Sequence, residues 1–298
     1  MGSAALPQIT AAFHGALCRR HGPCTLEDGI TLTLQQATLM IAQGYSRPHI
    51  SQNEGLRAFA SEAGGCERAI GLRMLNLKPL DLTPELATTF LAGDLLHDDM
   101  QAGLTTLFPD LSVEHSWCTS GISGRADGVY ISDAEISNVV EIKSTSLPGF
   151  KYAMWKGPKQ DHIFQAGLSA LHLGATDIHI IYISKAPCQT AKKTWADPQT
   201  PEFISVMDWF MQIDLDQIQD EWDRLAALAP AVLAGTIGDT VNAQGWIANP
   251  AETKWPCAYC AALPLCLQLG EGPQPLAKLL ALRPAHEFPV MKIAENRI

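Results

Sequence analysis

The 298-residue sequence predicts an α/β fold, a mixed central β-sheet flanked by helices. Three observations carry this expectation. Segments 124–132, 138–144 and 177–184 are rich in Val, Ile and Tyr and read as strands. Between the second and third, Asp161–Leu173 repeats apolar residues at helical spacing, in Phe164, Leu168 and Leu171. Ahead of all of them, Thr83-Pro84-Glu85 opens a helix expected to reach about Met100, with a capping hydroxyl, a proline in the first turn and an acid at the positive helix end. The order helix, strand, strand, helix, strand fits a sheet covered by helices.

The flanking regions read as helical additions. Residues 1–60 carry apolar periodicity in Thr31–Tyr45 and turn punctuation at His21-Gly22-Pro23 and Arg47-Pro48. Residues 203–235 are expected to return to helix. Hydrophobic residues make up 47% and charged residues 17%, the balance of a globular chain and not a disordered one. No apolar run approaches the ~18 residues that span a bilayer, and the N-terminus lacks the basic start and apolar core of a secretory signal. The expected location is cytoplasmic, with no membrane.

A net charge of −10 argues against a protein that coats nucleic acid without selectivity. Charge is not uniform, however. Between Val140 and Trp195, seven lysines (143, 151, 156, 159, 185, 192, 193) face Glu141, Asp161 and Asp177, a local +4. This is either a solvated face or the positive wall of a groove.

The most informative stretch runs Gly124-Arg-Ala-Asp127, then Val139-Val-Glu141-Ile-Lys143. On a strand Glu141 and Lys143 share one face. Burying an acid and a lysine directly after two valines is costly unless they pair or hold an ion. Asp127, on the preceding strand, brings a second carboxylate to the same place if the two strands form a hairpin. Two converging carboxylates suit a hard cation such as Mg²⁺ or Mn²⁺. Such an ion activates water and neutralises a scissile phosphate. Taken alone, Glu-x-Lys also describes a surface hairpin with one ion pair.

Asp, thirteen residues, then Glu-x-Lys resembles the PD-(D/E)XK nucleases, in their RecB-like branch. The resemblance implies a restriction-endonuclease-like sheet and a metal held by His97, Asp127 and Glu141. His97 falls in the Gly93-x-x-x-His97 of the preceding helix. Lys143 would act as the catalytic lysine, and Gln165 as the helix glutamine that positions water or substrate. The tyrosine that usually follows the glutamine is here Ser169. The implied organisation is an N-terminal helical region (1–60), a nuclease core (61–195), a helical region (196–256) and a C-terminal cysteine segment with a tail (257–298).

Of eight cysteines, Cys18, Cys24, Cys118 and Cys188 are scattered and read as small incidental residues. Cys257, Cys260 and Cys266 are clustered as a C-x₂-C turn with a third thiol. Some RecB-like nucleases, including CRISPR-associated exonucleases and the AddB nuclease domain, bind a [4Fe–4S] cluster. Similarity to them adds Cys66 and implies the ligand set Cys66, Cys257, Cys260, Cys266. Structural Zn²⁺ is the alternative occupant. Either would join segments about 190 residues apart in sequence.

The function expected is a Mg²⁺- or Mn²⁺-dependent deoxyribonuclease, an exonuclease acting on ends or single strands. Lys151, Tyr152, Trp155 and Lys156, with Phe150, offer cations and rings for unpaired bases, or are ordinary core and loop residues. No P-loop motif is present. A recombination, annealing or CRISPR-associated protein is a possible partner for such an enzyme. The alternative is a non-catalytic nucleic-acid-binding or scaffold protein that keeps the fold.

Overall fold

The computed structural model describes residues 6–44, 56–75, 84–132, 135–189, 203–239, 257, 260, 263–270 and 272–282. Thr83, Lys192, Lys193, Trp195 and the C-terminal tail lie outside the described residues. The chain divides into two compact units, each assembled from separate stretches. The first comprises residues 1–48, 82–115 and 126–213, and the second 49–81, 116–125 and 214–298. Among the described residues, no helix is long and apolar enough to cross a membrane.

The first unit holds helices α1 (Leu6–His21), α2 (Leu26–Ala42), α4 (Pro84–Leu107), α5 (Leu147–Lys156) and α6 (Gln160–Leu173). Helix α3 (Glu67–Met74) belongs to the second unit. The sheet of the first unit uses the second half of β3 (Ile122–Ser132), then β4 (Glu135–Thr145), β5 (Asp177–Gln189) and β6 (Phe203–Gln212). β3 and β4 are antiparallel, β4 and β5 parallel, β5 and β6 antiparallel. The parallel pair needs a crossover, which α5 and α6 supply. The architecture is therefore α/β, a mixed central sheet flanked by helices, as the sequence predicts.

Both faces of this sheet are covered. Val140, Ile142, Ile181, Ile183 and Val206 pack with α1 and α4 residues Phe13, Leu17, Leu96 and Met100. On the opposite face Val139, Ile178, Ile180, Tyr182 and Met207 pack with Phe150, Ala153, Ala166 and Ala170 of α5 and α6. Strand alternation then places Glu141 and Lys143 on the α5/α6 side with Val139.

Residues 203–212 correct the sequence reading. They are strand, not helix, and only Leu215–Leu233 is helical (α7). Because helices cover both faces, successive residues Val206 and Met207 enter different cores. The period-two signal is erased, and a strand loses its distinguishing pattern.

The second unit contains β1 (Ala58–Phe59), which pairs in parallel with Ile122–Ser123, and α3 and α7. The two-residue strands β7 (Thr236–Ile237) and β8 (Gln274–Pro275) pair with each other, and short helices α8 (Leu263–Leu269) and α9 (Leu276–Leu282) accompany them. Gly64 N–H and the Arg224 guanidinium both bind the buried Glu221 of α7.

Candidate active site

In the first unit, the β3–β4 register sets Gly128 opposite Val140 and Val129 opposite Val139, and so carries Asp127 to the level of Glu141. Asp127 Oδ2 accepts a 2.6 Å hydrogen bond from the Ile142 amide. Its other oxygen lies 3.0 Å from Nε2 of His97, on α4. Helix α4 can approach this closely because residue 93 is glycine, where a Cβ would stand 2.9 Å from Ser144 Oγ. The Gly-x-x-x-His spacing thus has a steric reason: the glycine lets the helix reach β4, and the histidine one turn on meets the carboxylate.

Glu141 is 1% exposed, and Lys143 Nζ stands 2.6 Å from its Oε1. Its Oε2 is buried without a hydrogen-bond partner. Burial, then the neighbouring charge of Asp127, push the Glu141 carboxyl up to about 8, against the pull of Lys143. Burial alone would lower the Lys143 ammonium, but Glu141 and Asp127 outweigh it and leave it above its ordinary value. His97 behaves similarly: burial opposes its charge, and Asp127 more than offsets that. The pocket thus carries an excess of negative charge, concentrated on Glu141, that a proton or a cation must neutralise. In chemistry, an orphaned buried carboxylate oxygen, a second carboxylate and an imidazole suit Mg²⁺ or Mn²⁺. Among the described residues, however, the ligand atoms within 4.8 Å of one another belong to His97, Glu114 and Asp127, and Glu141 is not in that group.

Gln165, on α6, accepts a 2.7 Å hydrogen bond from Lys143 Nζ. One turn earlier His162 is lowered to about 4 by burial and by Lys143, so its ring is neutral, and Nδ1 lies 2.7 Å from the Tyr182 hydroxyl. Ser169 is wholly buried and cannot stand in for an exposed tyrosine.

Two residues here were not legible in the sequence. Glu114, on β2 (Leu111–Cys118), His97 and Asp127 bring one ligand atom each within 4.8 Å of one another. Glu114 has φ 55, the strained left-handed region for a residue with a Cβ. Gln101 on α4 holds it, donating to Glu114 Oε1 at 2.7 Å and to the Asp127 carbonyl at 2.8 Å. The available signal was the strand-like Leu111–Cys118, with an acid flanked by valine and histidine.

The proposed nucleic-acid residues divide. Tyr152 and Trp155 are 53% and 57% exposed, and Lys151 and Lys156 are exposed beside them on α5. Phe150 is fully buried between α5 and the sheet, so it is a core residue and not a base platform.

In the second unit Cys257 and Cys266 are buried, and Cys66 and Cys260 are half-buried. Burial pushes the Cys66 thiol up, against amide hydrogen bonds from Ala69 and Arg68, and Cys266 and Cys260 add to the rise. Burial likewise raises Cys257, helped by Cys260 and Cys266. The four cysteines are therefore electrostatic neighbours. Among the described residues, the ligand sets within 4.8 Å are His97–Glu114–Asp127 and His14–Cys18–Cys24, so the four cysteines are gathered more loosely than one ion requires. Arg68, 1% exposed, donates to Cys266 Sγ at 3.4 Å and to the carbonyls of Gly238, Gly270 and Gly272. A buried cation against a cysteine sulfur fits a thiolate set with net negative charge.

No protein-family model matches the chain, and no curated protein matches it. Among solved structures, SSO0001 aligns over 79% of this chain and 95% of its own, at 16% identity and a TM-score of 0.42. An alkaline exonuclease, LHK-Exo from Laribacter hongkongensis, aligns over 60% of this chain and 88% of its own, at 11% identity and a TM-score of 0.44. The same enzyme in complex with dAMP gives 12% identity and 0.39. The likeness is distant in every case.

Proposed function

We propose that this protein is a divalent-metal-dependent deoxyribonuclease of the RecB-like PD-(D/E)XK type, acting as an exonuclease on DNA ends or single strands. The observation that carries the reading is Glu141. A fully buried carboxylate that gives one oxygen to a catalytic-type lysine and leaves the other orphaned is expensive to maintain in a purely structural role. His97 and Asp127 would hold the cation together with Glu141, with Glu114 within reach of the first two. When bound, it supplies Lewis-acid neutralisation of the scissile phosphate.

The chain's own groups do the rest. Lys143 orients water for in-line attack and stabilises the charge that develops on the phosphate. Gln165 fixes the ammonium, and His162, neutral, adds no competing charge. Exposed Tyr152 and Trp155 stack unpaired bases, while Lys151 and Lys156 face the backbone phosphates. In the second unit Cys66, Cys257, Cys260 and Cys266 hold a [4Fe–4S] cluster in a structural role.

The test is digestion of end-labelled single- and double-stranded DNA with Mg²⁺ or Mn²⁺, beside Lys143→Ala. Metal-dependent cleavage by the parent alone is the expected result. Equal cleavage by both, or binding without cleavage by a metal-loaded parent, overturns the assignment.

A further inference from the structure

Cys18 and Cys24, scattered and incidental in the sequence reading, are neighbours in the fold. His14 and Cys18 lie one turn apart on α1 and share a face, and the turn through Gly22 and Pro23 brings Cys24 back to it. One ring nitrogen of His14 and the two sulfurs fall within 4.8 Å of one another. Cys18 Sγ and Cys24 Sγ are 3.6 Å apart. Two thiolates bound to one tetrahedral zinc at about 2.3 Å each stand about 3.8 Å from one another, so these sulfurs are spaced as co-ligands of a single ion.

The surroundings keep the three together. The Cys24 carbonyl is 2.6 Å from His14 Nε2 and accepts from Cys18 Sγ at 3.6 Å. Helix α2 leaves room for the sulfur through Gly29, where a Cβ would come 3.3 Å from Cys24 Sγ and 2.9 Å from Leu17 Cβ. All three residues are half-buried. We propose that His14, Cys18 and Cys24 form a Zn²⁺ site, three protein ligands with the fourth tetrahedral position left to water. Two thiolates and an imidazole select a borderline ion, whereas the oxygen-rich set at Asp127 and Glu141 selects a hard one. The site ties α1 to the turn that starts α2. It thereby steadies the helix whose Arg20 grips Asp99 of α4 through both carboxylate oxygens.

The test uses the full chain, purified without chelator, and follows alkylation of each cysteine by peptide mass mapping with and without added Zn²⁺. Alkylation of Cys18 and Cys24 should slow by at least about tenfold with zinc, because a metal-bound thiolate is no longer a free nucleophile. Elemental analysis of Cys18→Ser/Cys24→Ser should show one zinc fewer per chain, with iron unchanged. With Co²⁺ in place of zinc, His14→Ala should shift the thiolate–cobalt visible bands without removing them. Unprotected Cys18 and Cys24 overturn the proposal. So does recovery of the two as a disulfide in freshly purified protein, or equal metal content in parent and double variant.

Discussion

Gln165, on α6, accepts a hydrogen bond from Lys143 of β4 at 2.7 Å, while Glu141 holds the same ammonium at 2.6 Å. The lysine is thus fixed from two elements. Lys143→Ala removes the charge that stabilises the transition state and should lower the cleavage rate by about 10²–10³ or more. Gln165→Ala leaves the ammonium in place but less well aimed, and about 10–100-fold is expected. Single-turnover digestion rates measure both. Circular dichroism should be unchanged, and a Gln165→Ala rate equal to that of the parent would refute the positioning role.

The Glu141 carboxyl sits at about 8 in the absence of a cation, because burial and Asp127 disfavour its charge. Its folded value lies above the ordinary 4.5, so the protonated form favours the folded state. The stability of chelator-treated protein should therefore be fully present below about 4.5 and decline as pH rises towards 8. Divalent cation should restore it at the alkaline end by replacing the proton. Cation affinity should correspondingly strengthen with pH across the same window. Thermal melts with and without Mn²⁺ from pH 5 to 9 test this, and Glu141→Gln should flatten both trends. A melting temperature of the metal-free parent that rises through that window would contradict the assignment.

Glu114 occupies a strained backbone position, φ 55, and Gln101 holds its carboxylate against His97 and Asp127. Strain of ~1–3 kcal/mol persists only where the surroundings enforce it. Glu114→Gln should weaken Mn²⁺ binding by about 10–100-fold, the usual cost of losing a supporting group around a metal. Electron paramagnetic titration of free Mn²⁺ reads this directly, independent of turnover. An unchanged affinity would leave Glu114 with a purely structural role.

Much of this arrangement was readable from the chain. The strands carrying Asp127 and Glu141–Lys143 announce themselves because polar residues interrupt runs of valine and isoleucine. Helix α4 extends past the expected Met100 to Leu107 despite Gly103, whose missing Cβ lets α1 pack against it: a Cβ there would stand 2.8 Å from the Ala12 backbone. Glu114 stayed hidden because its role depends on a left-handed backbone angle, which no local pattern in Ser112–His115 signals. The strand at Phe203–Gln212 was hidden by burial on both faces. Phe150, left open between base platform and core residue, is core: its neighbours Lys151 and Tyr152 are exposed, but on a helix adjacent residues need not share a face.

Tyr152 and Trp155 stand more than half exposed on α5, so truncating them should cost little stability. Tyr152→Ala/Trp155→Ala should weaken single-stranded DNA binding by about 1–3 kcal/mol per lost stack. Duplex binding should change less. Fluorescence anisotropy with a labelled oligonucleotide in Ca²⁺ separates binding from cleavage, and equal affinity for the double variant would remove α5 from the interface.

Arg68 is a cation enclosed by the second unit. Its guanidinium faces Cys266 Sγ at 3.4 Å and the carbonyls of Gly238, Gly270 and Gly272, with a carboxylate oxygen of Asp239 3.9 Å away. Truncation removes the guanidinium donor from the Gly238 and Gly270 carbonyls, leaves the Gly272 carbonyl to Gln274, and takes a positive charge from beside the cysteine sulfurs. Arg68→Ala should destabilise the protein by about 3–5 kcal/mol, and Arg68→Lys, unable to span so many acceptors at once, by a substantial part of that. Iron content should fall together with stability, because this cysteine set and the arginine share one scaffold. Cys257→Ser should likewise give colourless protein of low solubility. If Arg68→Ala retains its full metal content and its unfolding midpoint, the guanidinium is not what balances the charge of the cysteines.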